Sequence, residues 1–121
     1  MPKYLFAIME RQGEYAEAGE AGFDAIMQAH GDFAAAVAAA GAKVLGGEAL
    51  QPTSTATYLR GTRTDAVHAV DNPMPEVKEV LGGYYLIEAA DEDQAVELAK
   101  KCPAPYGYIE VRPIWEFGEQ S

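Results

Sequence analysis

The stretch "GGYYLIEAADEDQAVELAKKCP", residues 82–103, decides the fold. Tyr84 and Leu86 point to one face of an extended segment, and Tyr85, Ile87 and Ala89 to the other. Both faces are apolar, and a strand of that kind is covered on both sides. Asp91 then stands where a helix cap belongs, with Gln94 three residues on as the other half of a capping box. Glu92 and Asp93 sit at the positive end of the helix dipole, Lys100 and Lys101 at the negative end, and Pro103 stops the run. The spacing predicts a helix over 91–102. A covered strand feeding a capped helix is the first part of a crossover, so another strand should follow. Residues 106–117, "YGYIEVRPIWEF", supply it, with Ile109 and Val111 inward and Glu110 and Arg112 outward.

The N-terminal part repeats the arrangement. Residues 3–9 read as a strand, with Tyr4, Phe6 and Ile8 on one face and Leu5, Ala7 and Met9 on the other, again apolar on both. The polar, glycine-bearing run over 10–22 reads as a surface loop or a loose helical turn. From about residue 20 to 40 the pattern is helical: Ile26, Phe33 and Val37, beside Ala29 and Ala36, form one stripe. The alanines propagate it and Gly41 ends it. Residues 43–50 are a second strand, broken at Gln51-Pro52; 54–61 and 66–71 are two further strands. The order is β-α-β, β-β, β-α-β. It predicts one α+β domain over 1–121, a ferredoxin-like antiparallel sheet with two helices on one face. The helices cover one face only, so a second copy of the chain is the simplest cover for the other. The expectation is a homodimer packed sheet to sheet, a dimeric α+β barrel. A ligand cavity on the second face is a compatible alternative.

Composition narrows the function classes. The 121 residues are 49% hydrophobic and 23% charged, as in a water-soluble domain. No apolar run reaches the roughly 18 to 20 residues that span a bilayer, and "YLFAIM" is too short for a signal-peptide core. The net charge of -10 argues against nucleic acid and against an anionic membrane surface. A single cysteine, Cys102, rules out an internal disulfide and a multi-cysteine metal site. The expectation is a cytoplasmic chain without metal or cofactor.

Two residues stand out as candidates for chemistry. His30 lies on the apolar stripe between Ile26 and Phe33, where it is either a core histidine bonded to a carbonyl or a general acid or base. Asp71 ends a strand before Asn72-Pro73, and turn chemistry alone accounts for it. As a pair they are more interesting, because a carboxylate that orients an imidazole fixes its tautomer and favours its protonated form. Glu48, Lys78 and Glu79 could line a pocket mouth, with solvated charge the simpler account of each. His68 reads as an edge or surface residue, and Tyr84, Tyr85 and Trp115 as packing residues. The glycine pairs lack the strand-GxGxxG-helix setting of nucleotide binding.

The run "VDNPMPEVKEVLGGYY", residues 70–85, carries a more specific signal. Asp71, Pro73, Glu76, Lys78, Glu79, Leu81, Gly82 and Gly83 stand in the order D-x-P-x-x-E-x-K-E-x-L-G-G. This resembles the signature of the YCII-related, or DGPF-domain, family, D-G-P-F-x-E-x-K-E-x-L-G-G. The likeness extends to "MQAHGDFAAAVAAAGAKVLGGEALQP" (27–52) and to the last strand. It implies a ferredoxin-like dimer with His30 and Asp71 as an acid–base pair in a cleft. Glu48, Pro73, Lys78, Gly82 and Gly83 would be the substrate-binding set. Asn72 and Met74 replace the motif glycine and phenylalanine. Asn tolerates a left-handed turn, whereas loss of the ring alters whatever it packed on. Lyase or dehydrohalogenase roles have been suggested for the family, and some members occur with extracytoplasmic-function sigma factors. Two readings follow. One is a cofactor-independent enzyme moving a proton on a small organic substrate by elimination or isomerisation. The other is a non-catalytic ligand-binding or regulatory protein partnered with a sigma factor. A third, a helix histidine as axial haem ligand, rests on fold analogy alone.

Overall fold

The computed structural model describes residues 1–11, 14–70 and 79–117, with the backbone alone over 14–18. The elements in chain order are β1 (Lys3–Arg11), α1 (Glu14–Ala39), β2 (Lys43–Ala49), a 3₁₀ turn (Thr53–Thr55), β3 (Tyr58–Arg60), β4 (His68–Val70), β5 (Glu79–Glu88), α2 (Glu92–Ala99) and β6 (Gly107–Pro113). Four strands form one sheet in the order β2-β5-β1-β6, with every neighbouring pair antiparallel. The strands joined through α1 flank β5, and those joined through α2 flank β1. Two interleaved crossovers of this kind make the ferredoxin-like α+β fold. The β3–β4 hairpin stands apart from that sheet and pairs only with itself. It has three residues a side, none of them buried.

Both helices lie on the same face. Phe33 and Val37 of α1 and Ala95, Leu98 and Ala99 of α2 meet Tyr4, Phe6 and Ile8 of β1 and Ile87 of β5 in one core. Cross-strand register aligns those residues: Tyr4 faces Ile87, and Phe6 faces Tyr85 and Val111. Phe33 packs on Phe6 with ring centroids 6.2 Å apart. Ile109 and Val111 of β6 lean on this core from the edge, as the alternation predicts. Leu5, Met9, Tyr84 and Leu86 line the opposite face of the sheet and stay partly exposed. Among the described residues, no helix is long and apolar enough to cross a membrane.

Several boundaries differ from the sequence pattern: the strand expected over 54–61 is only Tyr58–Arg60, behind a 3₁₀ turn, and the last strand stops at Pro113 rather than at 117. Helical backbone begins already at Glu14, inside the run read as a surface loop or a loose helical turn, and is interrupted at Gly19 (φ 72°, ψ -172°). A residue with a side chain is strained there, so the glycine accounts for the break. The second helix ends at Ala99, short of 102. The N–H groups of Lys101 and Cys102 bond three residues back to the carbonyls of Leu98 and Ala99, each at 3.0 Å, a tightened turn that closes the helix. The fifth strand begins at Glu79 rather than at the glycine pair.

Two irregularities in the sheet matter for the site. In β5, Gly82 has no partner on β1, because Leu81 pairs with Met9 and Gly83 with Ile8. In β2, Leu45 is skipped between Val44 and Gly46. Each is a β-bulge, which twists the strand and re-aims its side chains.

Candidate functional site

A cavity of about 540 Å³ opens between α1, the end of β1, the start of β5 and the segment leaving β2. Phe23, Ile26, Met27 and His30 come from α1, and Ile8, Glu10 and Arg11 from β1. Residues 80–85 of β5 and 47–53 close the other sides. The helical stripe that buries Phe33 and Val37 against the sheet carries His30 one turn nearer the helix start, where the core gives way to the cavity.

His30 is half-buried, and its ring Nδ1 lies 2.6 Å from the hydroxyl of Tyr85. Tyr85 is held by packing: it faces Phe6 across the strands, and its ring sits 4.9 Å from that of Phe33. Gly47 gives the ring its place. A Cβ there would stand 2.8 Å from Cδ1 of Tyr85 and 2.6 Å from the Tyr84 carbonyl oxygen. Burial pushes the His30 imidazole below its ordinary 6.5 and therefore favours the neutral ring. Burial, with a smaller contribution from Cys102, pushes the Tyr85 phenol up, so it keeps its proton. Two neutral partners can share this bond in either direction. The phenol donates to Nδ1, or Nδ1–H donates to the phenol oxygen and leaves Nε2 as the basic nitrogen. Cys102 behind Tyr85 is inert: burial raises its thiol to about 12.

Glu10 is the second polar group of the cavity. The alternation that turns Tyr4, Phe6 and Ile8 toward the helices continues to Glu10, which pairs with Val80. Its carboxyl lies over the Gly82 bulge, and a methyl group built on Gly82 would overlap it. Oε2 is buried and accepts no hydrogen bond from a described residue.

Of the residues expected from sequence, His30, Glu48, Gly82 and Gly83 border this cavity. Glu48 is exposed, and its backbone carbonyl closes against Gly83, where a Cβ would come within 3.0 Å. Asp71, Pro73 and Lys78 lie outside the described residues, and so does any contact of Asp71 with His30. Glu79 is half-buried at the start of β5. His68 is exposed on the hairpin, its Nδ1 2.7 Å from the Ala66 carbonyl oxygen. Trp115 corrects the reading of it as a packing residue: it is 82% exposed and stacks on Phe117, itself exposed. Among the described residues no three His, Cys, Asp or Glu side chains are grouped to hold a metal ion.

Tyr85 and Glu10 are the site residues that sequence reasoning missed. Glu10 had a readable signal, an acid continuing the apolar face of Tyr4, Phe6 and Ile8. Tyr85 had only the general need of a buried hydroxyl for a partner, and the strand pattern does not say which helix residue meets it.

The match to the family described as YCII-related domain runs over residues 4–118. An uncharacterised protein of Rhizobium meliloti (strain 1021) is 37% identical over 68 residues. That alignment covers 54% of this chain and 54% of the relative, so the chain matches about half the length of this curated protein.

Proposed function

We propose for this chain, which belongs to the YCII-related domain family, the role of a cofactor-independent acid–base catalyst acting on a small organic molecule, with His30 as the proton-transfer group. The observation that carries this reading is the 2.6 Å contact of His30 Nδ1 with the Tyr85 hydroxyl at the wall of the cavity. With Nδ1–H donated to the phenol oxygen, Nε2 holds the lone pair that takes a proton from a ligand C–H. The electron pair left behind either expels a leaving group, which is elimination, or accepts the proton back at another atom, which is isomerisation. The imidazolium formed keeps its Nδ1–H bond to Tyr85, and closure by apolar side chains limits water. Family resemblance adds Asp71 as the residue that orients or charges the pair. The reading includes a homodimer, with a second copy covering the sheet face that bears Leu5, Met9, Tyr84 and Leu86.

The test is titration of both histidines by NMR in the wild type, Tyr85→Phe and Asp71→Asn. The expected result is a His30 resonance that titrates below the ordinary 6.5 and moves lower still when the aspartate charge is removed. A His30 that does not titrate is a packed core residue, and the catalytic reading then fails.

A further inference from the structure

The Glu10 carboxyl has no part in that proton transfer, yet the sheet is shaped around it. The extra residue of the β5 bulge is a glycine, and the missing side chain is the space the carboxyl occupies. A buried acceptor left without a donor costs about 1–3 kcal/mol, and more when charged. Oε2 of Glu10 is such an atom, set beside a cavity large enough for a small molecule. Apolar side chains such as Ile8, Ile26 and Val80 make up much of the lining, with Arg11, Gln51 and Thr53 among the polar ones.

We propose that Glu10, seated on the Gly82 bulge, recognises a hydrogen-bond donor on the ligand, and that the ligand is a small amine with an apolar body rather than an organic acid. An ammonium or amine N–H entering the cavity would donate to the Glu10 carboxyl, and its charge complements a carboxylate. A ligand carboxylate would meet Glu10 as a like charge. Among the described lining residues it would find little compensation, since burial favours the neutral His30 ring and Arg11 is already engaged. The chain's net charge of -10 acts in the same direction, attracting cations and repelling anions. This deepens the reading of the same cavity as a ligand site and rests on it.

The test is calorimetric binding of benzylamine, benzyl alcohol and benzoate to the full chain as wild type, Glu10→Gln, Gly82→Ala and His68→Gln. The amine should bind the wild type best and benzoate worst. Glu10→Gln preserves size and should weaken benzylamine about tenfold or more. Gly82→Ala should weaken it too, by displacing the carboxyl without changing the charge. His68→Gln, on the exposed hairpin and outside the cavity, should leave amine affinity within a few-fold. Benzoate binding the wild type as tightly as the amine, no amine binding at millimolar concentration, or an amine affinity indifferent to Glu10→Gln would each overturn the proposal. The two readings fail separately. Glu10-dependent amine binding beside a non-titrating His30 sinks the proton-transfer role and keeps this one. A titrating, Asp71-coupled His30 without amine preference does the reverse.

Discussion

His30 combines two roles that pull in opposite directions. As part of the stripe that continues through Phe33 and Val37 it contributes to packing, and as an imidazole it resists burial in charged form. Its depressed pKa links stability to pH with a definite sign. The unfolded chain binds the His30 proton near 6.5 and the folded chain only at lower pH. The stabilisation is therefore fully present above 6.5 and is lost as pH falls through the folded value. Thermal or urea unfolding of wild type and His30→Gln across this range reads the effect. The wild type should lose more stability than the variant on acidification, and parallel curves would show that folding does not favour the neutral ring. Neighbouring residues fix how precisely the imidazole is placed. Gly47 leaves room for Tyr85, Phe33 packs on its ring, and its hydroxyl holds Nδ1.

The elements carry this site because of how their ends are made. At the start of α2 the Asp91 carboxylate accepts from the Gln94 N–H at 2.8 Å, while Gln94 Oε1 accepts from the Ala90 N–H at 2.7 Å. The Gln94 amide also donates to the carbonyl of Ala40 at 3.0 Å and so pins α2 to the end of α1. Asp91→Ala should cost about 1 kcal/mol. Gln94→Ala should cost about 1–2 kcal/mol, since it frees the Ala90 N–H and the tie to α1 as well. Denaturant midpoints measure both; equal costs would mean that the tie between helices contributes nothing. The capping pair itself was plain in the order Asp91, Glu92, Asp93, Gln94, because its partners are local. The contact with Ala40 was not, because it joins residues 54 apart in the chain. The bulge at Gly82 was hidden for the same reason: it exists only relative to the register of β1.

At the scale of the whole molecule the open face of the sheet is the outstanding feature. Leu5 pairs with Leu86 there, next to Tyr84, and these three side chains are neither solvated like a polar face nor closed like a core. Covering them with a second copy stabilises the chain at about 25 cal/mol per Å² of apolar surface removed from water. Sedimentation equilibrium should therefore report about twice the 13.0 kDa chain mass, and Leu86→Glu should return it toward the monomer. A wild type that sediments as a monomer at all concentrations would remove the barrel from the reading.

The ferredoxin-like order of elements, the α2 cap, the faces of β1, β5 and β6, and the placement of His30 on an apolar stripe were all legible in the residue order. All of these follow from periodicity and from partners a few residues away. Three features needed the folded chain: Tyr85 as the hydroxyl at His30, a Glu10 oxygen on a glycine bulge with no donor among the described residues, and a hairpin that leaves the sheet. Each of those depends on which residues of distant segments come into register. A strand repeats its faces every two residues and a helix every 3.6, so local pattern fixes direction toward the core but not the neighbour met there.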